Sequence, residues 1–135
     1  MIPLKVICPH CKKSLMDEKH KIDGHPSVGI VTEFDEKRGW VRLSALYGSY
    51  EVETEHPISQ GTVVRFFCPF CEAELKSTRT CEQCGAPMAP IWLVGGGIAE
   101  ICTRRGCKKH LVEFENIETA LKEFYNTYSV FFKGR

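Results

Sequence analysis

The cysteines are the residues of this 135-residue sequence whose type and spacing point most directly to chemistry. All eight fall into pairs, namely Cys8 and Cys11, Cys68 and Cys71, Cys81 and Cys84, and Cys102 and Cys107. Two thiolates on one tight turn point at the same ion, and two such turns form a closed four-sulfur site typical of structural zinc. The sequence therefore predicts two Zn²⁺ ions, with all eight cysteines as metal ligands.

Two groupings of the four pairs agree with this spacing. In the sequential grouping, which we favour, the first two pairs bind one ion and the last two pairs bind the other. In the alternative, the second and third pairs share an ion, because only nine residues separate Cys71 from Cys81, as in compact double zinc ribbons. Cys8 and Cys11 would then close the other site with Cys102 and Cys107.

Iron and redox chemistry are the competing interpretations of the same cysteines. Four thiolates also hold iron in rubredoxins, so a rubredoxin-like electron carrier is a weaker alternative. The 56 residues between Cys11 and Cys68 are unlike rubredoxin. Dithiol redox proteins normally carry one Cys-x-x-Cys that opens a helix after a strand, so matched pairs favour a metal.

The third knuckle begins a pattern that extends to residue 110. Gly85 follows Cys84 and suits the left-handed position that closes such a turn. Residues 86–94 predict a strand, 95–97 a glycine turn and 98–101 a returning strand. The stretch 79–110 resembles the zinc-ribbon superfamily, particularly the C-terminal ribbons of bacterial type I topoisomerases. The resemblance implies metal binding and a ribbon fold, and its matching positions are Cys81, Cys84, Gly85, Pro87, Met88, Cys102 and Cys107.

The segment between the first two cysteine pairs reads as a β-rich insertion over about residues 28–67. Strands are predicted at 28–34, 40–43, 50–55 and 62–67, from alternating apolar residues and from β-branched and aromatic residues. Residues 35–39 form the predicted turn, with Gly39 at positive φ. Glu51, Glu53 and Glu55 give the third strand an acidic face, interpreted as a solvated face or as a docking surface for a basic partner.

The C-terminal segment has the spacing of an amphipathic helix. Its apolar residues recur every three or four positions, which places them on one helical stripe. Asn116 suits the N-cap. The stripe packs on the core in one interpretation and docks in a groove of a partner protein in the other. The candidate docking residues are Ile117, Leu121, Phe124 and Tyr128.

These elements predict a small, metal-stabilised, mostly β fold. It comprises a first zinc ribbon at 1–75 that contains the insertion, a second zinc ribbon at 76–112, and a C-terminal α-helix at 113–135. Bound metal supplies folding free energy that so small a core lacks.

A basic cluster beside the last cysteine pair is the candidate nucleic-acid contact. Four cations within six residues suit phosphate binding, and Trp92 would stack on a base if it is exposed. The net charge of +1 supplies no global field for nucleic acid. The candidate contacts are Arg104, Arg105, Lys108 and Lys109.

The sequence predicts a non-catalytic protein. Closed four-sulfur sites leave no open metal position, and the histidines lack the spacing of a catalytic zinc site. We expect a zinc-binding accessory or adaptor protein that binds another protein or a larger complex, with nucleic-acid binding as the alternative. The N-terminus lacks the apolar core of a signal peptide, so we expect a reducing, cytoplasmic location. The longest apolar stretch, 91–94, is too short to span a membrane.

Overall fold

A computed structural model describes residues 3–108 and 110–114, and these residues form β-strands and turns. Within these ranges no helix is long and apolar enough to cross a membrane. The strands are β1 (Val6–Ile7), β2 (Met16–Ile22), β3 (His25–Phe34), β4 (Lys37–Leu43), β5 (Val52–Thr54), β6 (Arg65–Phe67), β7 (Met88–Leu93), β8 (Gly97–Cys102) and β9 (His110–Phe114).

The predicted insertion forms most of a five-stranded antiparallel sheet built around β3, and β2, which precedes the predicted range, completes it. Strand β4 pairs with one side of β3, from Val28↔Leu43 to Phe34↔Lys37, and β5 pairs with the far side of β4. The other side of β3 is shared by β2 near its start and β6 near its end. Alternate side chains of β3 are buried, at Val28, Ile30, Thr32 and Phe34, as expected for a strand with one face on a core.

The turn between β3 and β4 differs from the prediction. Asp35 and Glu36 take the positive φ values, 46° and 61°, and β4 already begins at Lys37. The prediction that Gly39 sits in the turn at positive φ is therefore wrong. Gly39 lies within β4, where an added Cβ would be 2.8 Å from His56 Cδ2. A glycine suits this position because the side chains of residues 55 and 56 pack so close to its Cα.

The second sheet has the antiparallel order β1-β7-β8-β9. The predicted hairpin is confirmed as β7 and β8, which pair from Met88↔Cys102 to Trp92↔Ile98. The two flanking strands were not predicted. Strand β1 comes from the N-terminal segment and pairs through Val6↔Leu93. The first cysteine knuckle is therefore attached to the same sheet as the third and fourth.

One buried cluster lies between the two sheets and joins them. Its members come from both of the ranges predicted as separate ribbons, 1–75 and 76–112. They include Val6, Leu15, Val28, Ile30, Val41, Phe66, Ile91, Leu93 and Ile101. The two ranges predicted as ribbons thus contribute to one core.

The predicted C-terminal helix lies almost entirely outside the described residues. Strand β9 ends at Phe114, so residues 113–114 of the range 113–135 belong to a strand. Asn116 and the candidate docking residues lie outside the described part of the chain, and so does Lys109.

Candidate metal centres

Three Cys-x-x-Cys knuckles share one backbone hydrogen-bond pattern. In each, the N–H that follows the second cysteine donates to the carbonyl oxygen of the first: Lys12 to Cys8 at 3.0 Å, Glu72 to Cys68 at 3.0 Å, and Gly85 to Cys81 at 2.8 Å. The first cysteine's own N–H donates to the carbonyl oxygen two residues beyond the second. Each turn is therefore closed by two bonds that fix where its sulfurs point.

The residue after the second cysteine is left-handed in all three knuckles. The φ values are 65° at Lys12, 61° at Glu72 and 78° at Gly85. The prediction for Gly85 is confirmed. The other two knuckles place a side chain in a conformation that L-residues adopt at a cost.

The four sulfurs of the first site come from knuckles 57 residues apart or more. Cys8 Sγ lies 3.8 Å from Cys71 Sγ, and Cys11 Sγ lies 3.7 Å from Cys68 Sγ. All four sulfurs lie within 4.8 Å of one another. The N–H groups of His10 and Phe70 donate to the sulfurs of Cys8 and Cys68, each at 3.3 Å.

The second site joins the third knuckle to the loop after β8. Cys81 Sγ lies 3.7 Å from Cys107 Sγ, and Cys84 Sγ lies 3.4 Å from Cys102 Sγ. Here too the four sulfurs lie within 4.8 Å of one another. The structure therefore has the sequential grouping of the cysteine pairs, and the alternative grouping is wrong.

The fourth knuckle has a different turn because four residues separate its cysteines. Gly106 has a φ of 91°, and the Cys107 N–H donates to the Arg104 carbonyl oxygen at 3.1 Å. The Arg104 guanidinium donates to the carbonyl oxygens of Gly61, at 3.0 Å, and Cys84, at 3.5 Å. Arg104 thereby connects both knuckles of the second site to the segment before β6.

The segment before β6, residues 61–64, connects the two sites. The Val64 N–H donates to the Thr103 carbonyl oxygen at 2.9 Å, and the Arg105 N–H donates to the Thr62 carbonyl oxygen at 2.8 Å. The same segment continues through β6 into Cys68, a member of the first site. The two clusters are therefore held by one continuous stretch of hydrogen-bonded backbone.

The thiols of each site have unequal acidity. A hydrogen bond from the Lys13 N–H lowers the pKa of Cys11 to about 7, and one from the Ala86 N–H lowers the pKa of Cys84 to about 6. Burial raises the pKa of Cys68 to about 12 and that of Cys102 above its usual value. A bound cation would stabilise the charged thiolate form of these buried cysteines, whereas neutral surroundings favour the uncharged thiol.

The donor set and its spacing fit a tetrahedral metal ion. Sulfurs about 2.3 Å from a central zinc lie about 3.8 Å apart at the corners of a tetrahedron. The closest sulfur pairs of both sites, at 3.4 to 3.8 Å, match or approach that separation. All eight thiols are free of disulfide bonds.

The two sites differ in their surroundings. Cys8 and Cys68 are fully buried members of the core between the sheets. The second site has a small cluster of its own, in which Cys81 and Cys102 pack with Ala86 and Met88. The first site is thus part of the main core, whereas the second stands at its edge.

The predicted nucleic-acid contacts separate into different environments. Arg104 is half-buried and donates to backbone carbonyl oxygens, as described above. Arg105 is half-buried beside a cleft, and Lys108 is exposed with its Nζ 5.5 Å from the centroid of the Tyr50 ring.

The cleft lies between β4, β5 and the fourth knuckle and was not predicted. Its volume is about 220 Å³. Apolar side chains from both sheets line it, among them Val41, Val52, Phe66 and Ile101, whereas Glu51, Arg105 and Lys108 line it with charge. Glu53 on edge strand β5 and the flanking Glu51 and Glu55 are all exposed, as the alternating sequence predicts.

Comparison with protein-family models, curated proteins and solved structures gives no match for this chain. The resemblance of residues 79–110 to zinc ribbons therefore rests on the cysteine spacing, the β7–β8 hairpin and the second cluster.

Proposed function

We propose that both clusters bind Zn²⁺ and that the metal has a structural role. The observation that carries this proposal is that four thiol sulfurs converge in each cluster at tetrahedral spacing. Four protein ligands fill a tetrahedral ion and leave no position for substrate. We therefore propose a protein without catalytic activity of its own.

Metal analysis of protein purified without added metal tests this proposal. We expect two zinc ions per chain, a colourless protein and one zinc per chain after Cys84→Ser. A red protein with iron in both sites would support the rubredoxin-like electron carrier. A chain that folds without metal would contradict the structural role.

We further propose that the chain is an accessory or adaptor protein that docks on another protein. The cleft supports this role, because an apolar floor with charged residues at its edge suits the side chain of a partner. Tyr50 lines the cleft and is 45% exposed. An aromatic residue in this position is typical of the side chains that contribute most to binding.

Native purification with and without nuclease tests the adaptor role. We expect a stoichiometric, nuclease-resistant partner that is lost with Tyr50→Glu. Tyr47→Glu is the matched control, because Tyr47 is 48% exposed and lies outside the cleft. Equal loss with both variants would contradict docking at the cleft.

Nucleic-acid binding at the fourth knuckle is the second candidate function, and the exposed Lys108 beside Arg105 favours it. Charge reversal tests it at these two residues. Arg104 is unsuitable for that test, because its guanidinium holds the second site together. Retention of nucleic-acid affinity after Arg105→Glu and Lys108→Glu would exclude this surface.

A further inference from the structure

Two aromatic rings are exposed beside the first metal site. Phe70, inside the second knuckle, is 55% exposed and is the most exposed of the large hydrophobic side chains in the described residues. Trp92, on β7, is 38% exposed. Neither ring belongs to the buried core, so part of each ring is open to a ligand.

Two consecutive lysines connect these rings. Lys12 Nζ lies 3.7 Å from the centroid of the Trp92 ring, and Lys13 Nζ lies 5.3 Å from the centroid of the Phe70 ring. Both distances are those of cation–π contacts. Lys12 Nζ also donates to the Pro9 carbonyl oxygen. Two lysines adjacent in sequence therefore each place an ammonium group against one of the two exposed rings.

The backbone beneath this surface is fixed. Lys12 and Lys13 are held by the closing hydrogen bonds of the first knuckle, and Phe70 lies between two members of the same metal site. Trp92 is paired with Ile7 across β1 and β7. The rings and cations are thus pre-organised, which lowers the entropy lost on binding.

We propose that this surface binds single-stranded nucleic acid, with bases stacked on Phe70 and Trp92 and phosphates bound by Lys12 and Lys13. Exposed rings with cations beside them suit a strand whose bases are unpaired, because each base offers a π-face and each nucleotide a phosphate. A duplex keeps its bases stacked internally and cannot use the rings in this way. Glu72 follows the second cysteine of the second knuckle, and its carboxylate lies 3.7 Å from the Arg38 guanidinium in an ion pair.

The inference extends the proposed function and rests on metal binding at the first site. The proposed surface is different from the one that Arg105 and Lys108 form at the fourth knuckle. Zinc content is therefore measured on every sample. Protein that lacks zinc would count against the proposed function, whereas protein with two zincs and no affinity would count against this inference alone.

Fluorescence anisotropy with a labelled 15-nucleotide oligothymidylate is the direct test. We expect binding by the wild-type protein, about 5-fold or greater loss with Phe70→Ala or with Trp92→Ala, and weaker binding to a duplex of equal length. Replacing both lysines with glutamine should reduce the slope of log K against log salt by about 1.4.

Trp40→Ala is the matched control. Trp40 is 37% exposed and has the Arg42 guanidinium 4.0 Å from its ring centroid, but it lies on the other sheet. We expect it to leave the affinity unchanged. Equal loss with Trp40→Ala, or loss only with Arg105→Glu and Lys108→Glu, would overturn the proposal.

Tryptophan fluorescence provides a second measurement that does not depend on truncating a ring. The chain has two tryptophans, so Trp40→Phe leaves Trp92 as the only one. We expect the oligonucleotide to quench the tryptophan fluorescence of the Trp40→Phe variant but not that of the Trp92→Phe variant. Fluorescence of the Trp40→Phe variant that is unchanged by the oligonucleotide would contradict nucleic-acid binding here. So would a protein partner that requires Phe70, if oligonucleotides do not bind.

Discussion

At the scale of single residues, the three knuckles differ at one position whose backbone is the same. Lys12, Glu72 and Gly85 all have φ between 61° and 78°. Only glycine takes this conformation without a steric cost. The third knuckle is therefore the least strained of the three turns, although its metal site has the smaller core.

Gly85→Ala should destabilise the zinc-loaded protein by about 1 kcal/mol. Apart from the adjacent residues of the chain, no atom lies within 4 Å of the added Cβ, so the effect comes from the backbone alone. Unfolding in denaturant and chelator competition measure stability and zinc affinity. Gly24→Ala is the control, because Gly24 has a φ of 79° and the same open space between β2 and β3. It should lower stability equally and leave zinc affinity unchanged.

Arg104→Met should weaken zinc binding at the second site. The substitution leaves the carbonyl oxygens of Gly61 and Cys84 without their guanidinium donors. Two lost hydrogen bonds correspond to about 1–3 kcal/mol. Competition with a chromogenic chelator measures the change. Arg105→Met, at the adjacent half-buried arginine, is the control, and equal weakening by both variants would contradict the role given to Arg104.

At the scale of elements, two glycines of the five-stranded sheet have different surroundings. An added Cβ at Gly39 would lie 2.8 Å from His56 Cδ2 and 3.0 Å from Glu55 Cβ. At Gly29 the nearest atoms are 3.7 and 3.8 Å away, which is ordinary contact. The close approach of residues 55–56 to β4 therefore depends on Gly39 and not on Gly29.

Gly39→Ala should destabilise the protein by about 1–3 kcal/mol through overpacking. Gly29→Ala should be neutral or stabilise the protein by up to about 1 kcal/mol, because glycine is unfavourable inside a strand. Thermal unfolding of the two variants measures the difference. The opposite order of stability would show that residues 55–56 move aside at little cost.

At the scale of the whole molecule, the two four-cysteine clusters differ in their surroundings, so we expect unequal contributions to stability if both bind metal. Cys8 and Cys68 are 0% exposed within the core that joins the sheets, whereas the second site has its own small cluster. A structural zinc contributes about 10–16 kcal/mol of binding free energy, as much as the whole stability of an ordinary domain. Loss of the first site should therefore affect both sheets.

Cys68→Ser should abolish the cooperative unfolding transition. Cys84→Ser should keep one zinc and the chemical shifts of β2 to β5, while the signals around the fourth knuckle change. Calorimetry, zinc analysis and amide NMR spectra distinguish these results. If the Cys68→Ser protein is as well folded as the Cys84→Ser protein, the first site does not contribute more to stability than the second.

Local spacing was sufficient to identify the cysteines of both candidate metal centres and the β7–β8 hairpin. Paired cysteines identify a metal site because the chemistry lies within a few residues. The β7–β8 hairpin and the alternation around Glu51, Glu53 and Glu55 are also local patterns. Strand β2 was missed because Met16–Ile22 is largely polar and exposed, with an irregular register against β3.

The sequence by itself determined which eight cysteines form the two candidate metal centres, where Gly85 closes a turn, and that the described chain is mostly β-strand. The tertiary structure decided which pairs share a site, because that depends on strands distant in sequence, such as β1 against β7. It also assigned Arg104 to carbonyl oxygens and brought Lys12 to Trp92 and Lys13 to Phe70. These contacts join residues 43, 80 and 57 positions apart, and no local pattern encodes such distances.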